Sequence, residues 1–137
     1  MNTVQPLSDP LPLAACRVVV TGGMGVLGRA VGQLLAERGA QVVLLDRAPT
    51  QAVPGMTAVL GEVDLTDEAA AGQAMNEAGR RLGGLNALVN VAGGFRWEQV
   101  EGGSLTTWDT LYGMNLRSAV AACRAALPLL RAAAPAA

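Results

Sequence analysis

The sequence contains no histidine and no lysine, and these two absences exclude several kinds of chemistry. All ten basic residues of the 137-residue chain are arginines. Without histidine there is no imidazole general base and no histidine metal ligand, and without lysine there is no Schiff base and no P-loop lysine. Carboxylates, one tyrosine, two cysteines and hydroxyls remain, and we expect no metal site.

Charge is also scarce, at 15% of the residues, and its two signs balance to a net charge of -1. Because the acidic and basic residues nearly cancel, the protein has no strong positive potential that would attract a phosphate backbone or anionic lipid. We therefore expect no nucleic acid partner. Hydrophobic residues make up 51% of the chain and the mean hydropathy is +0.34. The chain is too apolar for disorder, and its apolar runs are too interrupted for a membrane span, so one globular domain without a membrane partner is predicted.

Cysteine occurs only twice, at Cys16 and Cys123, without a CxxC spacing. This usage predicts two free thiols in a reducing, cytoplasmic compartment rather than a disulfide or a metal clip. Residues 1–15 carry an acidic residue and several prolines but no basic start, which is unlike a signal peptide. We therefore expect a loose leader over 1–15 and one domain over 16–137.

Short apolar runs alternate with apolar residues at helical spacing from Arg17 onward. The β-branched runs that end at turn residues predict buried parallel strands, and the helical spacings predict amphipathic helices. Pro128 is expected to kink or end the last helix. The predicted strands lie at 17–21, 41–45, 57–64 and 85–91, with a surface crossing at 48–55, and helices begin near Leu27, at Thr66 and after the capping residue Ser104.

This order of elements predicts an α/β fold with a doubly wound, Rossmann-like parallel sheet. Right-handed crossovers place helices on both faces of such a sheet, and the expected strand order is 3-2-1-4. The predicted fold is truncated after the fourth strand and its following helix. That truncation leaves an apolar edge strand and an apolar helix face uncovered, so we expect self-association.

The first strand-to-helix turn, at 21–28, reads TGGMGVLG and contains GxGxxG. Glycines let the backbone turn sharply and approach a pyrophosphate, whose charge is met by free N–H groups of the following helix. Asp46 follows the second strand at close to the spacing of about 20 residues expected for a carboxylate that binds the adenosine ribose. The alternative is a plain glycine turn with an exposed aspartate at a strand end.

These residues resemble the short-chain dehydrogenase/reductase family, whose first turn reads T-G-x-x-x-G-x-G and whose fourth strand ends N-N-A-G. One departure is Val26, where short members of the family usually have the middle glycine. The resemblance runs from about Arg17 to the carboxyl terminus and implies the amino-terminal half of an NAD(P)-binding Rossmann fold. The matching residues are Thr21, Gly22 and Gly28 in the turn, Asp64, the run Asn90, Val91, Ala92 and Gly93, and the helix from Trp108 to Asn115.

The resemblance implies a role for each of these positions. Asp46 would accept hydrogen bonds from a free 2′-hydroxyl and repel a 2′-phosphate, which favours NAD, whereas Arg47 could receive that phosphate if Asp46 turned away. The implied contacts are Gly22, Met24, Gly25, Leu27 and Gly28 with the pyrophosphate, Asp64 and Leu65 with the adenine, Asn90, Ala92 and Gly93 with the inner ribose region, and Asn115 in catalysis.

The family's acid–base machinery is a tyrosine, a lysine four residues later, a serine and an asparagine. Only Asn115 has a counterpart here, and we expect the other three after a further strand. Tyr112 has Leu116 at its partner position and is predicted to pack on the sheet instead. Phe95, Arg96 and Trp97 are possible substrate rim contacts.

The sequence therefore predicts the cofactor-binding half of an oxidoreductase that transfers hydride between nicotinamide and a carbonyl or alcohol. The alternative is a nucleotide-binding or interaction module without turnover. A flavodoxin-like or methyltransferase-type domain is disfavoured, because it would leave Asp46, Asp64 and the strand end at Asn90 unexplained.

Overall fold

The computed structural model describes residues 13–133, which form one parallel sheet covered by helices. The β-branched and leucine-rich runs become strands because such side chains pack well on a pleated, buried surface. The strands are β1 (Arg17–Thr21), β2 (Gln41–Leu45), β3 (Ala58–Leu60) and β4 (Ala87–Asn90), and the helices are α1 (Val26–Glu37), α2 (Glu68–Leu82), α3 (Leu105–Tyr112) and α4 (Ser118–Ala133), with a π-helical turn (Gly113–Arg117) between α3 and α4.

The strand order is β3-β2-β1-β4 and every pair is parallel. This arrangement confirms the predicted fold class and strand order. Val19 of β1, which is fully buried, lies between Val43 of β2 and Leu88 of β4. The carboxyl ends of β1, β2 and β4 therefore meet at one edge of the sheet, where their connecting turns lie together.

Helices cover both faces, as a doubly wound sheet requires. On one face α1 packs on the side chains of Val18, Val20 and Leu44. On the other face α2 and α4 pack on Val19 and Val43. Alternate residues of each strand thus belong to opposite cores, because successive side chains of a strand point to opposite faces.

Local sequence sets the ends of the helices. The carboxylate of Asp67 accepts the N–H groups of the second and third residues of α2, and Ser104 caps α3 in the same way. Gly83 ends α2 in the left-handed conformation, with a φ of 70°. Gly39, with a φ of 94°, follows the end of α1 and donates its N–H to a carbonyl of that helix.

The predicted third strand is too long. β3 ends at Leu60 because the chain bends away at the next two residues. The N–H of Gly61 donates to the Thr50 hydroxyl, and Glu62 has a φ of 58° and donates its N–H to the carbonyl of Ala48. The predicted fourth strand, 85–91, likewise shortens to Ala87–Asn90.

The last predicted helix is also corrected. A π-helical turn interrupts it, and Pro128 does not end it, since Pro128 lies exposed inside α4 and the helix continues to Ala133. Tyr112 does not pack on the sheet, since 61% of its surface is exposed. The π-helical turn carries Asn115, and the hydrogen bonds of that side chain stabilise the turn.

Residues 1–12, most of the predicted leader, lie outside the described residues, as do residues 134–137. Residues 13–16 form a turn, in which the N–H of Cys16 donates to the carbonyl of Leu13, and the N–H of Leu13 donates to the carbonyl of Arg38 at the end of α1. Cys16 and Cys123 are both free thiols, as predicted. Within residues 13–133 no helix has the length and apolar character needed to span a membrane.

Candidate functional site

A cleft of about 600 Å³ opens at the carboxyl edge of the sheet, where the turns after β1, β2 and β4 meet. This volume lies in the ordinary range for sites that bind small molecules and cofactors. All but one of the predicted cofactor contacts line it. They are Gly22, Met24, Gly25, Leu27, Gly28, Asp46, Arg47, Asp64, Leu65, Ala92 and Gly93.

The glycine-rich turn after β1 forms one wall of the cleft. Gly22 has a φ of 66°, and a Cβ there would lie 2.7 Å from the backbone nitrogen of Ala92. A Cβ on Gly28 would overlap the carbonyl of Gly22, so only glycine allows the turn and the start of α1 to approach this closely. The departure at Val26 does not strain the turn, because Val26 is the first residue of α1, has no positive φ and is exposed.

The amino terminus of α1 faces this cleft without a side-chain cap. Its N-cap is Gly25, and no side chain accepts a hydrogen bond from the first turn, which also holds no acidic residue. The N–H groups of Val26, Leu27 and Gly28 have no helical acceptor at this position. A helix terminus of this kind stabilises an anion such as a phosphate.

Asp46, directly after β2, lies beside the glycine turn that leads into this helix and is partly buried. Its Oδ2 accepts the N–H of Met24 at 2.8 Å and its Oδ1 accepts the N–H of Ala48 at 2.9 Å. Each carboxylate oxygen has a further lone pair that could accept a ribose hydroxyl. Arg47, the next residue, is exposed and also lines the cleft.

Asp64 and Leu65 form a third part of the wall, where the predicted adenine contact lies. The Asp64 carboxylate accepts both the hydroxyl and the N–H of Thr66, at 2.7 and 2.9 Å. These two hydrogen bonds hold the pKa of Asp64 below its ordinary value, and the nearby Arg47 guanidinium lowers that pKa further. Leu65 is buried beside it and presents an apolar surface.

Thr21 organises the turn after β4 and was not among the predicted site residues. It is fully buried, and its hydroxyl oxygen accepts the N–H groups of Val91 and Ala92, each at 3.2 Å. The Thr21 side chain, at the end of β1, thereby holds the backbone of the turn after β4. A threonine at the end of a buried strand, next to a glycine turn, is the signal that could have indicated this role.

Asn90 is the one predicted cofactor contact that does not line the cleft. Its side-chain amide donates to the sulfur of Cys123 on α4 at 3.3 Å. The bond ties the end of β4 to the helix that covers this part of the sheet.

Asn115, the predicted catalytic residue, binds the backbone of the turn after β4. Its Oδ1 accepts the N–H of Gly94 at 3.0 Å, and its Nδ2 donates to the carbonyls of Gly94 and Leu111 at 2.9 and 3.0 Å. These three bonds use both amide hydrogens, so the side chain has no donor left for a substrate. Met114, which precedes it in the π-helical turn, and Ser118, the first residue of α4, line the cleft and were missed by sequence reasoning.

The side chains and backbone groups of the cleft suit a dinucleotide better than a metal ion. Among residues 13–133 no three His, Cys, Asp or Glu side chains come together as a metal site would require. The cleft combines a close backbone approach at Gly28, free N–H groups at α1 and a carboxylate at Asp46. This set fits the pyrophosphate and ribose of an adenine dinucleotide.

Comparison with known proteins agrees with this geometry. A family model described as short chain dehydrogenase matches residues 17–136. The chain therefore belongs to the short-chain dehydrogenase family, and the resemblance stated from the sequence is confirmed.

Three relatives illustrate the match. A 2,5-dichloro-2,5-cyclohexadiene-1,4-diol dehydrogenase of Sphingobium indicum is 32% identical over 131 residues, which cover 86% of this chain and 50% of that protein. The structure of a Serratia marcescens short-chain dehydrogenase/reductase is 31% identical with a TM-score of 0.76, covering 87% of this chain and 54% of that one. A Burkholderia cenocepacia short chain dehydrogenase in complex with NADP is 27% identical with a TM-score of 0.74, covering 87% and 52%.

The chain spans about half the length of the curated relatives it matches. The solved neighbours are covered to a similar share.

Proposed function

We propose that this chain is the cofactor-binding half of a short-chain oxidoreductase, with NAD as its preferred cofactor. The observation that carries the proposal is the position of Asp46, whose carboxylate lines the same cleft as the free amino terminus of α1 and is bonded to the turn that leads into that helix. The pyrophosphate would bind at the first turn of α1, the adenosine ribose at Asp46, and the adenine beside Asp64 and Leu65.

Asp46 supports NAD over NADP for an electrostatic reason. Its carboxylate can accept the hydroxyls of an unmodified ribose, whereas a 2′-phosphate would place like charges together. Arg47 is the residue that could favour NADP, because its guanidinium is exposed beside the same site. A neighbour in complex with NADP shows that the family fold accommodates that cofactor as well.

The proposed reaction of the whole protein is hydride transfer between nicotinamide and a carbonyl or alcohol substrate. When bound, the nicotinamide would supply or accept the hydride. The described chain would hold the nucleotide and exclude water from part of it. The π-helical turn would keep the backbone after β4 in place through Asn115, so that Asn115 acts here by positioning.

Titration calorimetry with NAD and NADP tests the cofactor assignment. We expect wild-type protein to bind NAD more tightly than NADP, and Asp46→Ala to reduce this preference by about tenfold, because the like-charge repulsion is removed. Arg47→Ala, at the neighbouring residue, should change the preference in the opposite direction. If the wild type and Asp46→Ala show the same ratio of NAD to NADP affinity, the assignment is contradicted.

A binding module without turnover is a second candidate, and the acid–base groups favour it. The sequence has no lysine, and its one tyrosine, Tyr112, lies on α3 outside the cleft wall. We expect purified chain to oxidise no NADH with a panel of aldehydes and ketones. Measurable turnover by the pure protein would overturn this expectation.

Self-association and a cytoplasmic location complete the proposal. An apolar stripe runs along α3, the π-helical turn and α4. Its residues follow one another at four-residue spacing and are 49 to 61% exposed: Trp108, Tyr112, Leu116 and Val120. A stripe of this kind favours pairing with another copy. The two free thiols are typical of a reducing compartment.

A further inference from the structure

The glycine turn is held in shape by the protein itself before any nucleotide binds. Each of the three amides that lead into α1 has an internal acceptor. Gly23 donates to the carbonyl of Leu45, Met24 donates to the Asp46 carboxylate, and Gly25 donates to the carbonyl of Gly22. Only the next amides, in the first turn of α1, remain for a phosphate.

Asp46 is the one side chain among these acceptors. It spans the gap between two turns, because one oxygen accepts from Met24 after β1 and the other accepts from Ala48 after β2. The two donors are 24 residues apart in sequence, so neither turn could make this connection by itself. The carboxylate therefore links the turn that shapes the phosphate site to the end of the neighbouring strand.

The chemistry of these bonds requires a carboxylate. Both partners are N–H donors, and an ionised aspartate offers an acceptor on each oxygen. An asparagine of the same size would present its own NH₂ group to one of the two N–H groups. That donor would then lose its partner inside a partly buried site, which costs more than the loss of an exposed hydrogen bond.

We propose that Asp46 is a positioning residue for the phosphate site, in addition to the ribose contact assigned to it above. Its carboxylate fixes the glycine turn so that the free amides of α1 are presented to the pyrophosphate. The inference rests on the proposed nucleotide function, but it predicts an effect on ligands that have no ribose hydroxyl for Asp46 to bind.

The test compares ADP with 2′,3′-dideoxy-ADP by calorimetry on the wild type and on Asp46→Asn. If Asp46 only bound ribose, the dideoxy nucleotide would bind both proteins equally, and that result would overturn the positioning role. We expect Asp46→Asn to bind the dideoxy nucleotide about fivefold to tenfold more weakly than the wild type, the effect of losing one hydrogen bond in the turn. Asp109→Asn makes the same chemical change at an exposed site on α3 and should leave both affinities unchanged.

Amide hydrogen exchange of the nucleotide-free protein tests the same inference without a ligand. We expect the amides of Met24 and Ala48 to be protected in the wild type and to lose that protection selectively in Asp46→Asn. The wild-type measurement remains decisive if the variant does not fold, since a Met24 amide that exchanges as fast as in an unstructured peptide would refute the proposal. Failure of wild-type protein to bind either nucleotide would instead count against the proposed function.

Discussion

Individual polar side chains in and around the cleft act mainly on backbone groups. Thr21 accepts two N–H groups of the turn after β4, and Asp46 accepts one from each of two turns. Asn115 accepts the N–H of Gly94 and donates to the carbonyl of the same residue. Buried or partly buried backbone groups need such partners where no strand or helix provides them. The shape of the cleft thus depends on a few polar side chains.

Gly28 is the residue at which the smallest substitution should have the largest effect. A methyl group there overlaps the carbonyl of Gly22, and because backbone cannot move as a flexible side chain can, Gly28→Ala should lower the free energy of unfolding by about 2 to 3 kcal/mol. Nucleotide binding should be lost with it. Denaturant unfolding and NAD titration measure the two effects.

Gly72→Ala is the matched control, since it makes the same change inside a helix. No atom lies within 4 Å of a Cβ built at Gly72, and alanine favours the helical state by about 0.5 to 1 kcal/mol. This variant should be more stable than the wild type. Equal effects of the two substitutions would contradict the close contact described at Gly28.

At this scale the sequence predicts the residues that line the cleft better than the contacts that support it. Gly28 and Asp46 are recognisable because their types and spacing are tied to a ligand. The bond from Asn90 to Cys123 and those from Thr21 to the turn after β4 join residues about 30 and 70 positions apart. No local pattern carries such information, so they become visible only in the folded chain.

Among the elements, the helix ends and the central strands follow from local sequence, and the interruptions do not. Asp67 and Ser104 cap α2 and α3 because short polar side chains reach the first free amides of a helix. The π-helical turn and the early end of β3 arise from contacts with distant backbone, at Gly94 and at Ala48. The spacing of apolar residues in the sequence predicts neither the π-helical turn nor the early end of β3.

The hydrogen bonds of Asn115 make a prediction for the π-helical turn. Asn115→Asp keeps the acceptor for the Gly94 amide but places a carboxylate oxygen against two carbonyl groups. We expect the free energy of unfolding to fall by about 1 to 2 kcal/mol at neutral pH, measured with denaturant. Asn76→Asp, an identical change at an exposed site on α2, should have a much smaller effect. Similar losses in both variants would argue against the stabilising role of the Asn115 hydrogen bonds.

Glu98 gives the start of α3 a dependence on pH. Its carboxylate accepts the hydroxyl of Thr107 and the N–H of Ser104, and these bonds hold the pKa of Glu98 below its ordinary value of 4.5. A carboxyl group whose pKa is lower in the folded state stabilises that state above its unfolded pKa, and the contribution is lost as the pH falls through the folded pKa. This contact ties the segment before α3 to the first turn of that helix.

Glu98→Gln should therefore be less stable than the wild type at pH 7, and the difference should shrink as the pH falls below 4.5. Thermal unfolding across a series of pH values measures it. Glu101→Gln changes a neighbouring exposed carboxylate with no hydrogen-bond partner in the described chain, and it should show no such trend. A pH-independent difference for Glu98→Gln would contradict the assignment.

At the scale of the whole molecule, the apolar stripe on α3 and α4 predicts self-association. Leu116 lies at its centre, and pairing of two antiparallel copies there would place Tyr112 of one copy near Val120 of the other. Leu116→Gln should weaken association by about tenfold in sedimentation equilibrium, since an exposed leucine would otherwise be buried.

Leu34→Gln provides the control, because Leu34 on α1 is 49% exposed and Leu116 is 51% exposed. The control should leave association unchanged. If both substitutions weaken it equally, or if the wild type is monomeric at all concentrations, the stripe is not the contact surface.

The position of β1 between β2 and β4 also affects the order in which the strands can pair during folding. Val18 pairs with Ala87, 69 residues later, so β4 joins the sheet only by closing a long loop. Pairings across such long loops are slow to form, because closing the loop costs entropy before any contact is gained. The part of the cleft wall that follows β4 forms only when β4 has paired with β1. Nucleotide binding should accordingly appear in the slowest phase of refolding, after helical circular dichroism has recovered.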